Sequence, residues 1–265
     1  MQPTQAEKAE RFRALHKGDP FLIPNPWDAG SAKVLAGLGF EALATTSSGF
    51  AFTLGRADGN VTLDEVVEHV PVLDQATPLP VSVDLENGYG PRPEDAALAI
   101  ARAAGAGAVG GSIEDFDRES GIYEFELALE RVAAAAATAA ELDFPFTFTA
   151  RTENHLHGDS DLEETILRIR AFDRAGADVL YAPGLRQLED IRAVCAATAK
   201  PVNVLAFPGV SLAELVDAGA QRISVGGWLA FTAVDALIEA ATQMRDVGDF
   251  SAFRRPSHLN DWLGG

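Results

Sequence analysis

The sequence predicts a single (β/α)8 TIM barrel with an extra N-terminal helix and a C-terminal helical extension. Three observations predict it. Eight short β-branched or apolar runs recur along the 265 residues, Ala-, Leu- and Glu-rich segments of helical period separate them, and the punctuation between them alternates. The odd-numbered runs are entered through prolines (Pro20, Pro80, Pro145, Pro201) spaced about 60 residues apart, so each strand-helix unit takes about 30. The even-numbered runs follow a helix-ending glycine, in Leu38-Gly39-Phe40, Ala104-Gly105-Ala106, Ala175-Gly176-Ala177 and Ala218-Gly219-Ala220. Glycine suits these positions because it tolerates the left-handed backbone of a helix terminus. An open doubly wound sheet is the alternative, disfavoured by the fourfold punctuation and the lack of a mid-chain linker.

The elements follow in order. Thr4 with Glu7 three residues later is a capping box that opens the extra helix before the first strand, Phe21-Leu-Ile. Ala42-Leu-Ala-Thr-Thr is the second strand, and Thr62 with Glu65 opens the helix leading to the third, Val81-Ser-Val-Asp. Ala108-Val-Gly-Gly-Ser-Ile and Phe146-Thr-Phe-Thr are the fourth and fifth, with an Ala-rich helix around Val132 to Ala140 between them. Ser160 with Glu163 starts the next helix, before the sixth strand, Asp178-Val-Leu-Tyr. Val202-Asn-Val-Leu is the seventh, Ser211 with Glu214 caps the helix after it, and Arg222-Ile-Ser-Val is the eighth. One domain is expected over residues 1–265, with its core at about 20–240 and a helical tail at about 241–265.

Composition narrows the function. With 21 Lys and Arg against 39 Asp and Glu, the net charge of −18 repels phosphate backbones and anionic lipid, which argues against nucleic acid and membrane as partners. The single cysteine, Cys195, allows no internal disulfide and no Cys-rich zinc or iron-sulfur cluster. The opening residues, Met1-Gln-Pro-Thr-Gln-Ala-Glu-Lys, lack a basic segment followed by an apolar stretch. The most apolar-looking run, Val132 to Ala140, falls far short of the roughly 20 residues that span a bilayer, so a cytoplasmic protein is expected.

Barrel chemistry is built from the C-terminal ends of the strands. The residues there are Asn25; Thr46, Ser47, Ser48 and Gly49; Asp84 and Glu86; Glu114 and Asp115; Arg151, Thr152 and Glu153; Asn203; and Gly226 and Gly227. Asp84 and Glu86, two apart on an emerging strand, point the same way into the mouth, where Glu114 joins them. Three carboxylates without His or Cys make an all-oxygen site for Mg2+, with Mn2+ the other candidate. The bland alternative is that they cap a loop or pair with arginines. Arg151 is the natural two-pronged clamp for a substrate carboxylate, its alternative being an internal salt bridge to Glu114 or Glu153. Thr46-Ser47-Ser48-Gly49 offers hydroxyls and backbone N–H groups as an anion or oxyanion cradle.

Other features carry less. Gly105-x-Gly107-x-x-Gly110 matches a dinucleotide fingerprint but follows a helix and enters a strand, the reverse of the required context. Lys8, Lys17, Lys33 and Lys200 lie off the strand ends, which leaves no amine for Schiff-base chemistry. Cys195 is expected to pack in a helix, and His155 and His157 to be solvated loop residues.

The ordered set Pro24-Asn-Pro-Trp-Asp-Ala-Gly-Ser-Ala, Thr45-Thr-Ser-Ser-Gly-Phe-Ala, Gly55-Arg-Ala-Asp-Gly, Asp84-Leu-Glu-Asn-Gly-Tyr-Gly, Ile113-Glu-Asp, Ala150-Arg-Thr-Glu and Pro201-Val-Asn-Val resembles the isocitrate lyase/phosphoenolpyruvate mutase superfamily, from about residue 20 to residue 235. The resemblance implies a Mg2+-dependent barrel that breaks or forms carbon-carbon or carbon-phosphorus bonds beside a carboxylate of a small 2-oxo or 2-hydroxy acid. It also implies Asp84 as the nearest metal ligand, Glu86 and Glu114 holding the ion through waters, and Asp58 close by. Arg151 takes the substrate carboxylate in this picture, Thr46, Ser47 and Ser48 supply donors, and Asn203 lines the far wall. A homo-oligomer is implied too, a tetramer with an exchanged C-terminal helix or a dimer. The chain departs from the family in two places. The loop after the fourth strand reads Asp115-Phe-Asp-Arg-Glu-Ser-Gly-Ile-Tyr-Glu, without the family's Cys, Lys or His, and Pro183-Gly184 replaces a glutamate after the sixth strand.

The leading expectation is a Mg2+-dependent carbon-carbon lyase acting on a small 2-oxo or 2-hydroxy di- or tricarboxylate through a metal-stabilised enolate, with Tyr123 or Ser120 as candidate proton donors. Alternatives are an oxaloacetate decarboxylase, a phosphonopyruvate-type hydrolase or mutase, and a non-catalytic barrel that binds 2-oxo acids.

Overall fold

The computed structural model describes residues 2–158, 160–254 and 258–264. Ten strands occur in chain order: β1 (Phe21–Ile23), β2 (Leu43–Ala44), β3 (Val81–Asp84), β4 (Gly110–Glu114), β5 (Phe116–Asp117), β6 (Gly121–Ile122), β7 (Thr147–Arg151), β8 (Val179–Tyr181), β9 (Val202–Leu205) and β10 (Arg222–Ser224). The helices are α1 (Gln5–Leu15), α2 (Ala29–Gly37), α3 (Ser47–Thr53), α4 (Leu63–Ala76), α5 (Pro93–Gly105), α6 (Phe125–Ala140), α7 (Asn154–His157), α8 (Leu162–Arg174), α9 (Leu188–Ala196), α10 (Leu212–Asp217), α11 (Trp228–Val247) and α12 (Leu259–Leu263).

Eight strands form one parallel sheet in the order β1-β10-β9-β8-β7-β4-β3-β2, the expected barrel. The seam between β1 and β2 is drawn together where Ala44 N–H donates to Pro24 C=O (3.1 Å) and Asn25 Nδ2 donates to Thr45 C=O (2.9 Å). The remaining two strands are an antiparallel hairpin, β5-β6, in the loop after β4. That loop had shown no hydrophobic run and was not expected to carry strands.

Successive side chains on a strand face opposite sides. On β10, Ile223 joins the apolar layer against the helices while Arg222 and Ser224 line the barrel cavity. The floor is plugged from α1: Phe12 is fully buried with Ala9, Phe21, Ile23, Ala42 and Val109, and burial of such a ring contributes about 3 kcal/mol.

Capping boxes at Thr4, Thr62 and Ser211 open α1, α4 and α10 as expected. The one expected at Ser160 is displaced: Asp161 is the N-cap of α8, its carboxylate accepting from the N–H groups of Glu163 and Glu164. A carboxylate is as good an acceptor as a hydroxyl here and also favours the positive end of the helix. Gly39, Gly176 and Gly219 take the left-handed backbone expected of them, but in the fourth unit Gly107 (φ 114°), not Gly105, does so, since α5 runs through Gly105.

The C-terminal extension splits. The last barrel helix, α11, runs on to Val247 and leaves Phe231, Leu237 and Ile238 exposed. In contrast, α12 lies back on α2, where the Trp262 indole sits so close to Gly37 that a Cβ there would clash with it. Among the described residues no helix is long and apolar enough to cross a membrane.

Candidate active site

The carboxylates meet where β3, β4 and β7 end side by side. Glu114 and Arg151 are register partners across the β4-β7 ladder, and Asp84 ends the neighbouring strand. Arg151 sits in the middle and makes three ion pairs: Nη1 to Asp84 Oδ1 (2.8 Å), Nη2 to Glu114 Oε2 (2.9 Å) and Nη2 to Glu153 Oε1 (2.6 Å). Burial works against its charge, but Glu153, Glu114 and Asp84 together hold the guanidinium above its ordinary value. The guanidinium lies 5.3 Å from the ring centre of Tyr181, which covers its other face.

Asp115 braces this cluster from behind. Its Oδ1 accepts from Glu153 N–H (2.8 Å) and its Oδ2 pairs with Arg168 (3.0 Å), which also donates to the Tyr123 carbonyl (3.0 Å). Burial pushes the Asp115 carboxyl up to about 6, although those partners favour its charged form.

Asp84 and Glu86 do not continue one strand as the i, i+2 spacing suggested. The strand stops at Asp84, and Glu86 (φ 46°) and Tyr89 (φ 62°) both take left-handed conformations that cost a non-glycine residue of order 1 kcal/mol each. The turn nevertheless returns Glu86 to Asp84: its N–H donates to Asp84 Oδ1 (3.2 Å), and Tyr89 Oη donates to its carboxylate (3.4 Å). Burial, then repulsion from Asp84 and Asp58, pushes the Glu86 carboxyl up to about 7. Glu114 is raised as well, chiefly by burial.

The mouth leads into a cavity of about 170 Å3 lined by Thr46, Ser47, Ser48, Asp84, Arg151 and Asn203, all singled out from sequence, and also by Tyr181, Arg222 and Ser224. Thr46 caps α3 by accepting from Gly49 N–H (3.4 Å), and Ser47 N–H points at Asp84 Oδ2 (3.4 Å). Asn203 is held at both ends of its amide, donating to Ser224 Oγ (2.9 Å) and accepting from Arg222 Nε (2.8 Å). Asn25 Oδ1 accepts from the N–H groups of Val225 and Gly226 (2.9 Å each), tying the first barrel turn to the last. Asp58 stands on the rim, ion-paired with Arg118 of the β5-β6 turn (3.3 Å).

Neither loop residue considered as a proton donor lines this cavity. Tyr123 is buried, its phenol accepting from Asn87 (3.0 Å), and Ser120 Oγ bonds Asp117 (3.0 Å). Tyr181 does line it, and the rule that selected Arg151 would have found it, since it is the last residue of β8. Arg222 lies at the start of a strand, where no end-of-strand rule looks. His157 is exposed as expected, with one face of its ring stacked on Phe116 (3.9 Å between ring centres). Cys195 packs near Gly219, and burial pushes its thiol up to about 11. A wider cleft of about 750 Å3 opens beside α1 and α6, walled by Ala, Phe and Pro together with Arg13, His16, Lys17, Asp143 and Asp178.

Among the described residues no three carboxylate, imidazole or thiol side chains form a ready-made metal cage. The donor chemistry still fits Mg2+, which takes one or two carboxylates and keeps several waters. Asp84, Glu86 and Glu114 supply only oxygen, and their crowding persists after Arg151 is counted, so a hard divalent cation would relieve it.

The family model for phosphoenolpyruvate phosphomutase matches residues 12–245. A Burkholderia cenocepacia protein provisionally assigned as a lyase/mutase is 50% identical, with a TM-score of 0.95 over 98% of this chain and 97% of that one. The 2-methylisocitrate lyase of Halalkalibacterium halodurans is 28% identical over 252 residues, 91% of this chain and 79% of its own. An oxaloacetate acetylhydrolase, solved with its product oxalate, is 26% identical with a TM-score of 0.89 over 98% of this chain and 95% of that one. The chain therefore belongs to the phosphoenolpyruvate phosphomutase family, among the lyases and mutases of the isocitrate lyase/phosphoenolpyruvate mutase superfamily that its motifs resemble.

Proposed function

We propose that this protein is a cytoplasmic Mg2+-dependent lyase that cleaves a carbon-carbon bond in a small 2-oxo or 2-hydroxy di- or tricarboxylate. The observation that carries the reading is the cluster at the cavity wall, in which Asp84, Glu114 and Glu153 surround the single guanidinium of Arg151 with Glu86 beside them. Asp84, Glu86 and Glu114 are the residues that would hold the ion. When bound, Mg2+ supplies positive charge to the acid's oxygens as negative charge develops on them.

Arg151 orients the substrate carboxylate through its fork. Thr46, Ser47 and Ser48 supply donors along the near wall, and Asn203 fixes the far one. The small cavity suits a short acid and limits access of bulk water. Asp58, with Arg118, closes the rim. Tyr181 holds a proton at Oη: burial pushes the phenol up to about 12, so it stays a donor at neutral pH and fills the role left by the missing loop cysteine.

Oxaloacetate is the first acid to test, given the likeness to an oxaloacetate acetylhydrolase. Incubation with oxaloacetate and with 2-methylisocitrate, followed for CO2, acetate and pyruvate, is expected to show turnover that both EDTA and Asp84→Ala abolish. Full Mg2+-dependent turnover by Asp84→Ala would falsify the metal assignment. Saturable oxalate binding without product from any acid would favour a binding barrel instead. The exposed apolar side chains of α11 suit burial against a second copy in a dimer or tetramer, and a monomer in sedimentation at micromolar concentration would exclude this.

A further inference from the structure

A second cavity, of about 260 Å3, adjoins the acid cavity at the mouth, and the two share four lining residues, Leu156, Leu205, Gly226 and Gly227. Its other walls include Leu185 and Phe207, in the loops that follow β8 and β9, and Trp228 and Phe231, on the first turn of α11. Among its lining residues only Arg186 is charged, and that guanidinium lies over the Phe207 ring, 5.7 Å from its centre. A polar cavity and an apolar one thus stand on either side of one ridge.

Gly227 is part of that ridge. Its backbone is ordinary (φ −74°), so conformation does not call for glycine there. Space does: a Cβ would collide with Ser48, which lines the acid cavity, and with the Phe231 ring, which lines the second. Trp228 and Phe231, three apart on one face of α11, line the pocket yet remain 42% and 48% exposed, which leaves apolar area there to be covered. Oxaloacetate has no apolar part to cover it. A closed apolar cavity of about 150 Å3 holds a benzene ring, so one of about 260 Å3 has room for a short carbon chain.

We propose that this pocket takes an apolar chain longer than methyl on the carbon skeleton of the acid, which makes the substrate a chain-bearing 2-oxo or 2-hydroxy acid. The inference rests on the reading of the neighbouring cavity as the acid site and narrows the substrate class of that same site. The carboxylate and the oxygen beside it stay with Arg151 and the donors of Thr46, Ser47 and Ser48. The chain passes over Gly226 and Gly227, with Leu156 and Leu205 beside it, and ends against Trp228 and Phe231. Each methylene that leaves water there adds to binding without a new polar contact.

The test is calorimetry at fixed Mg2+ with pyruvate, 2-oxobutanoate, 2-oxopentanoate and 2-oxohexanoate, and with oxalate, which has no chain, as the reference. Affinity is expected to rise about fourfold with each methylene, or about sixtyfold across the series. In Trp228→Ser the gain per methylene is expected to fall to about twofold or less, so that the ratio of 2-oxohexanoate to oxalate affinity drops about tenfold. Should Trp228→Ser fail to fold, Phe231→Ser opens the same pocket one turn further along and is expected to lower the ratio alike. Oxalate binding without any gain along the series overturns the inference alone, whether the pocket is closed or filled by a second copy. A folded variant that weakens oxalate as much as 2-oxohexanoate also overturns it, since the walls then serve the acid cavity rather than a chain. Absence of oxalate binding by the parent overturns it together with the site reading.

Discussion

The mouth and the floor of the barrel use buried arginine in opposite ways. At the mouth, Arg151 is held by three carboxylates within 2.9 Å and remains charged against the burial that works to lower it. Toward the floor, Arg222 meets only an amide, a hydroxyl and an imidazole, and burial pushes it down to about 10. The difference teaches which charges are spent. The Arg151 cluster has more anions than cations and is a place for a further cation, whereas the charge of Arg222 is a fixed source of donors.

The contrast is broken most severely by removing the mouth cation. Arg151→Met takes from Asp84, Glu114 and Glu153 the cation that all three share, and a stability loss of about 4 kcal/mol is expected, with turnover at background. Arg222→Met removes a cation that no anion balances, so its loss in a urea titration is expected to be clearly the smaller. Equal losses would show that the two arginines hold the fold in the same way.

The barrel was legible because its causes are local. Proline before the odd strands and glycine after the helices are backbone requirements written in single residues, and the structure keeps nearly all of them. Gly107 in place of Gly105, and Asp161 in place of Ser160, are shifts of one or two residues between equally competent neighbours. The strand-end rule also brought Asp84, Glu86, Glu114, Arg151 and Thr46 to Ser48 to one mouth, whereas Asn203 lines the cavity from the second position of β9, beside its register partner Arg222. It failed for Arg222, which reaches the cavity from the start of β10 and owes its place to partners on α1, β7 and β9 far away in sequence. The β5-β6 hairpin was also hidden, since strands of two residues carry no periodicity. Nor could spacing show that a left-handed turn would carry Glu86 off the strand.

The floor has a pH dependence of its own. His16 lies between Phe12 and Phe21, its Nδ1–H donates to the Phe12 carbonyl (2.8 Å) and its Nε2 faces Arg222, so the folded state holds it neutral. Burial, then the charge of Arg222, pushes it down to about 3. A folded-state value below the ordinary 6.5 means that the unfolded chain takes up the proton first, so this contribution is complete above about pH 6.5 and is lost as pH falls toward 3. At pH 4.5 the loss is about 3 kcal/mol relative to neutral pH. Replacement by Gln removes the titration, so the stability gap between parent and His16→Gln is expected to narrow by that amount between pH 7 and 4.5. A gap that stays constant across the range would mean that His16 is already free to protonate in the folded state.

The smallest expected effect sharpens the comparison from the side of the mouth. Glu86 combines a left-handed backbone with a crowded carboxylate pushed up to about 7, two features that each disfavour the folded state. Glycine at this position removes the strain and the repulsion together while adding its own backbone entropy cost, so Glu86→Gly is expected to stabilise the metal-free protein by about 0.5 to 1 kcal/mol in urea. The same change removes one of the three oxygens assigned to Mg2+, so the midpoint of Mg2+-dependent oxalate binding is expected to move to higher Mg2+. Gain in stability and loss in metal response must occur in the one variant, because both follow from placing a negative charge where the backbone resists it. A Glu86→Gly protein less stable than its parent would mean that the turn is held by contacts of the Glu86 side chain, and the mouth would then be no more strained than the floor.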